Sequence, residues 1–237
     1  MEDVLEALLS ARQRDSAAAS VSSRMSQFSQ APTPLPSQVS VVVSKIEAED
    51  VEPLLSAAAR SERFRFLEIL RTMFGGASET HALGQKQRFR LCEVVVELVD
   101  GGKLASSKEA AAAVQCVVGE LDTLTLRQVA ALIESVMAGL KTCGSRATAG
   151  AGGGTSGAYG YDGASLSLLP KLTMRISQGS FVNDDKRQVT GTDFRQQVLE
   201  KFTSLDWPEA IAVRIITMLR EVSMPQKVGA VNSKLLV

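Results

Sequence analysis

The stretch Thr125-Leu-Arg-Gln-Val-Ala-Ala-Leu-Ile-Glu-Ser-Val-Met-Ala-Gly-Leu140 decides the fold. Leu126, Val129, Leu132, Ile133, Val136 and Leu140 recur at three- and four-residue steps, which lines one face of a helix of 3.6-residue period. Thr125 and Gln128 stand just ahead of the run in capping-box spacing, where each side chain serves the other residue's backbone N–H. The segment is therefore an amphipathic helix with a defined start, and its apolar face requires a partner.

Working outward, the same signature repeats. Ser106 and Glu109 form another capping box, ahead of Val114, Val117 and Val118. Leu91, Val94, Val95 and Leu98 form a stripe closed by Gly101-Gly102; Val94-Val95-Val96 also fits a strand, but its flanks and length favour helix. Phe66, Leu67, Leu70 and Phe74 end at Gly75-Gly76, and Asp50 is an N-cap before Pro53, Leu54, Leu55 and Ala58. Val41 to Ile46 is a short element, and Val4, Leu5, Leu8 and Leu9 give a short helix within residues 1–14. Downstream lie Leu166, Leu169, Leu172 and Ile176, where Pro170 means either a kink or a late helix start. Phe194, Val198, Leu199 and Phe202 follow. Asp206 then caps, with Pro208 in the first turn and Glu209 at the box position, a stripe of Ile211, Ile215, Leu219 and Val222.

Short helices, tight links and no convincing period-two strands predict an all-α fold: an α-solenoid of stacked antiparallel helix pairs, HEAT/ARM-like. Residues 15–38, rich in Ser, Ala and Gln with alternating Pro32, Pro34 and Pro36, are expected to be a disordered linker. The solenoid then spans 39–237, with a flexible glycine-rich insertion at 142–163. The apolar segment Val228 to Val237 has no C-cap, so the stack is expected to continue or to be paired there.

Composition narrows the function. Lys plus Arg and Asp plus Glu both number 26, which weighs against a dedicated polyanion-binding module while leaving a local basic face open. Three separated cysteines (Cys92, Cys116 and Cys143) suit a reducing compartment, and one histidine, His81, leaves little for a metal site or a catalytic triad. No catalytic, metal or cofactor residues are expected, nor any small-molecule substrate or membrane contact. The glycine run Ala149 to Gly157 lacks the Gly-Lys-Ser/Thr of a phosphate loop and follows no strand.

Three elements carry a family resemblance. Arg88-Phe-Arg-Leu-Cys-Glu-Val-Val-Val-Glu-Leu-Val-Asp-Gly-Gly-Lys-Leu104 resembles the N-terminal solenoid of the Fanconi anaemia group I family, where a basic cluster leads into a helix ending in a similar turn. Gly163-Ala-Ser-Leu-Ser-Leu-Leu-Pro170 is similar to that family's GKSLELLP element, and Phe194 to Val222 to its next helical pair, with the order of Asp206 and Trp207 swapped. The resemblance covers roughly Val41 to the C-terminus; the Ser/Pro segment departs from it. It implies a nuclear scaffold of DNA interstrand-crosslink repair that pairs as a heterodimer with a paralogous group D subunit and binds DNA as part of the full-length complex. The family's ubiquitinated lysine lies downstream, so no lysine here carries that role. A generic HEAT-like adaptor for peptide or helix partners is the alternative function.

Two sets of residues are candidates for contacts. Lys86, Arg88 and Arg90 head a helix near Gln87 and can touch phosphates without reading sequence, or form a solvated face balanced by Glu93 and Glu97. Ser26-Gln27, Ser29-Gln30 and Ser37-Gln38 match the serine–glutamine dipeptide that damage-activated kinases phosphorylate, a pattern that a Ser/Gln-rich linker also produces by chance. Trp207 is expected to be a packing anchor, and Cys92 and Cys116 to be small core residues.

Overall fold

The computed structural model describes residues 2–25, 38–61, 63–75, 83–149, 164–183, 185–207 and 209–223. Helices α1 (Glu2–Met25) and α2 (Gln38–Val43) precede α3 (Ala48–Arg60) and α4 (Phe66–Phe74). The centre is α5 (Gln85–Asp100), α6 (Ser107–Glu120) and α7 (Leu126–Ala149). A 3-10 turn (Ala164–Leu168) leads into α8 (Leu169–Ile176), a hairpin of β1 (Ser180–Val182) and β2 (Gln188–Thr190), α9 (Gly191–Ser204) and α10 (Glu209–Ser223).

The packing has two layers. Helices α3, α5 and α7 lie side by side in one, and α4, α6 and the 3-10 turn with α8 in the other; α1 and α2 cover one end, α9 and α10 the other. This is the expected all-α stack of helix pairs. Each pair hides its stripe against the next, so the core is one continuous cluster. Val129, Leu132, Ile133, Val136 and Leu140 of α7 are fully buried, and each such side chain contributes roughly 1.5–3 kcal/mol.

Local chemistry explains the boundaries. At α7 the Gln128 N–H donates to Thr125 Oγ1 at 3.3 Å and the Thr125 N–H to Gln128 Oε1 at 2.9 Å, the reciprocal box that the spacing predicts. At α6 the Glu109 N–H donates to Ser106 Oγ at 3.1 Å, but the Glu109 carboxylate reaches one residue further back, to the Ala105 N–H at 2.9 Å. Helix α5 ends in a Schellman arrangement: Gly102 N–H donates to the Val99 carbonyl and Lys103 N–H to the Leu98 carbonyl, both at 3.0 Å. Gly102 has φ 60° there, which glycine adopts without steric cost. The valine run is helical throughout, and Pro170 marks a helix start in the first turn of α8, resolving the kink alternative.

Four expectations are corrected. Asp50 is not the cap of α3: the cap is Glu47, three residues earlier, the helix starts at Ala48, and Asp50 accepts from the Glu47 N–H at 3.4 Å. Pro53 consequently falls in the second turn of the helix. Residues 15–25, expected as linker, continue α1, because the alanines after Asp15 extend a helix that already exists. Residues 142–149, expected as loop, likewise continue α7; the rest of the insertion, 150–163, lies outside the described residues.

Lastly, strands do occur. Ser180 pairs with Thr190, Phe181 with Val189 and Val182 with Gln188. Asn183 closes the turn, its carbonyl accepting from Lys186 N–H and its side-chain oxygen from Arg187 N–H, with Lys186 at φ 60°. Thr190 then caps α9 through Asp193 N–H at 3.1 Å. A Cβ on Gly191 would stand 1.7 Å from the Ile176 carbonyl oxygen, so only glycine lets the hairpin return this closely to α8.

Candidate functional site

The three basic residues singled out in α5 do not form a free cationic ridge. Arg88 is only 6% exposed. Its Nε donates to the Leu83 carbonyl at 3.0 Å and its Nη1 stands 3.6 Å from Glu120 Oε2, which ties α5 to the end of α6. Burial pushes the Glu120 carboxyl above its ordinary value, while Arg88 and the Thr123 hydroxyl act to lower it. Arg88 is thus a buried structural cation and is not presented to a phosphate. Amphipathic counting places it three residues before Leu91 on the core face, and that was the signal against a surface role.

Arg90 and Lys86 are at the surface, and both face acids. Arg90 lies 2.7 Å from Glu52, 3.2 Å from Glu97 and 3.5 Å from Glu93. Burial alone would lower the Arg90 pKa, but the three carboxylates outweigh it and hold the guanidinium charged. Lys86 is 3.5 Å from Glu49. The Glu49 carboxyl sits below its usual range through a backbone hydrogen bond first and Lys86 second. Glu49, Glu52, Glu93 and Glu97 therefore surround exposed Lys86 and half-buried Arg90, and an incoming phosphate meets net negative charge across α3 and α5.

A polar contact that the sequence did not reveal joins two of the resemblance elements. Asp100, from the turn that closes α5, accepts a hydrogen bond from Ser165 Oγ at 2.5 Å, and both residues are buried. A Cβ on Gly139 of α7 would lie 2.2 Å from the other Asp100 oxygen, so a glycine there gives the carboxylate its room. The contact ties α5, α7 and the 3-10 turn together. The acid before Gly101-Gly102 was visible in the sequence, but nothing local linked it to a serine 65 positions away.

A second polar latch closes the N-terminal end. Asp15 accepts from the Gln38 N–H at 3.1 Å and the Val39 N–H at 3.0 Å, so a residue assigned to the linker caps α2. Ser26, Ser29 and Ser37 lie outside the described residues, as does His81. Cys92 is fully buried, and burial pushes its thiol well up; Cys116 is half-buried and is also raised, first by burial. Neither thiol is poised as a nucleophile. Trp207 stacks on Phe202 with centroids 5.1 Å apart, and its Nε1 donates to the Phe202 carbonyl at 2.7 Å, the anchor role expected of it.

Among the described residues no group of His, Cys, Asp and Glu is placed to hold a metal ion, and no helix is long and apolar enough to cross a membrane. A groove between α5, α7, β1 and α9 is lined by Phe89, Phe181 and Phe194, the latter two in edge contact at 5.4 Å.

Comparison with known families gives a match to the model described as FANCI solenoid 1, over residues 85–235. The match begins at the first residue of α5, so it takes in the Asp100 and Ser165 elements and leaves α1 to α4 outside it. No curated protein and no solved structure matches the chain.

Proposed function

The chain belongs to the FANCI solenoid 1 family, and from that premise we propose that it is a non-catalytic scaffold of DNA interstrand-crosslink repair in the nucleus. Its helical stack pairs with the paralogous group D subunit and contributes to DNA binding by the assembled complex. The observation that carries this reading is the family match over 85–235, through consecutive helix pairs from α5 to α10. Stacked amphipathic helices offer broad surfaces for protein contact and little of the concave, water-excluding chemistry an enzyme requires.

Because Arg90 and Lys86 already face acids, the reading gives first weight to pairing with the subunit. Co-purification of the tagged full chain from nuclei treated with a crosslinking agent tests it. The group D paralogue is expected in near-stoichiometric amount; its absence, with the chain folded and nuclear, rejects the proposal.

A further inference from the structure

A concavity of about 510 Å3 lies where α1, the connection from α3 to α4, α4 and the residues before α6 meet. Its wall includes Arg12, Arg65 and Arg71 together with Glu68 and Glu109. Both carboxylates are engaged: Glu68 pairs with Arg12 at 3.1 Å, and Glu109 accepts the Ala105 N–H at 2.9 Å. Arg65 and Arg71 take part in none of the ion pairs among the described residues. Arg71 is drawn instead to the Cys116 thiol, a neutral group.

The wall therefore holds three guanidiniums against two carboxylates. Guanidinium forks match the oxygens of a phosphoryl group in charge and in bidentate geometry. No side chain caps the start of α4, where Arg65 is the N-cap, so its first-turn dipole adds to the positive potential. Half-buried Leu67 on the same wall supplies apolar contact beside the charge.

Size and surroundings choose between phosphate sources. The space takes one phosphorylated side chain and a neighbouring residue. Duplex DNA carries a charge about every 1.7 Å and is held by a track of cations, whereas the wall offers two unpaired guanidiniums at one spot, enough for a single phosphoryl group. We propose that this concavity binds a phosphoserine or phosphothreonine within a partner peptide, with Arg65 and Arg71 on the phosphoryl oxygens and Leu67 against an apolar neighbour.

Fluorescence anisotropy with the full chain tests the proposal, using labelled Gly-Ala-Leu-phosphoSer-Leu-Ala-Gly, its unphosphorylated twin and a short DNA duplex as competitor. The phosphorylated peptide is expected to bind about tenfold tighter or better than its twin, the factor that corresponds to ~1.4 kcal/mol. Arg65→Gln with Arg71→Gln should erase that preference while helical circular dichroism is unchanged. Should the double variant unfold, Arg65→Gln alone, at an exposed position, should still weaken the phosphorylated peptide severalfold. Equal binding of the two peptides, or a preference left undiminished by loss of Arg65, overturns the proposal. Tighter binding of the duplex through Arg65 and Arg71 also overturns it, in favour of a nucleic-acid site.

Discussion

In the centre of the stack, α5, α6, α7 and the 3-10 turn are pinned by buried polar contacts: Arg88 to Glu120 and the Leu83 carbonyl, and Asp100 to Ser165. At the C-terminal end the contacts of α10 are largely apolar, with Ile215, Met218 and Val222 buried while Val213 and Ile216 are 73% and 66% exposed. Apolar packing is forgiving of small shifts, whereas a buried charge or carboxylate demands one particular neighbour. The centre therefore has its register specified by polar chemistry. The end is held by shape and area, and it presents an apolar surface.

Breaking the central pair should have the largest effect. Arg88→Met leaves Glu120 buried without its cation, and the loss of stability in urea titrations at neutral pH is expected to be about 3–5 kcal/mol. The sign of its pH dependence follows from Glu120, whose folded carboxyl pKa is already raised by burial with Arg88 opposing the rise. Without Arg88 the folded state holds the proton still more tightly than the unfolded chain does. The variant should thus regain stability as pH falls from neutral toward the ordinary carboxylate range, and lose it again as pH rises through the raised pKa. A variant no more stable near pH 5 than near pH 7, relative to wild type, would show that Glu120 is not desolvated.

A smaller cost attaches to the second central contact. Ser165→Ala removes the donor to Asp100 and is expected to lower stability by about 1–2 kcal/mol, measured by thermal or denaturant unfolding. Loss of under a few tenths would mean that water replaces the hydroxyl and that the contact does not set register. At the far end, Val213→Ser with Ile216→Ser should change the stability of the chain by no more than about 0.5 kcal/mol, since both side chains already face solvent. A drop well beyond that would reveal a cover over this face and remove the contrast between centre and end.

Legibility followed the range of the interactions. Thr125 with Gln128, and Ser106 with Glu109, lie three residues apart, so the starts of α7 and α6 could be read directly. The glycine pair at 101–102 announced the end of α5 for the same reason. Asp15 opens a linker by composition alone, because the backbone it caps lies beyond an intervening segment. The hairpin is not legible locally because three-residue strands carry too little alternation, and their stability comes from Asn183 and from packing on α7 and α9. Arg88 and Arg90 are two residues apart with the same charge, yet one faces the core and the other three carboxylates.

By itself the sequence determined that this protein is a stack of amphipathic helices, since helical period, capping pairs and glycine stops are encoded within a few residues of one another. It also determined the family, since the match over residues 85–235 rests on the order of residues along the chain. Only the tertiary structure decided that the turns at Asp100 and Ser165 touch, that the cations at the head of α5 are neutralised, and that Arg12, Arg65 and Arg71 share one concavity. Those outcomes depend on which helix faces meet, and burial, ion pairing and cavity shape are properties of the packed layers that no local window contains.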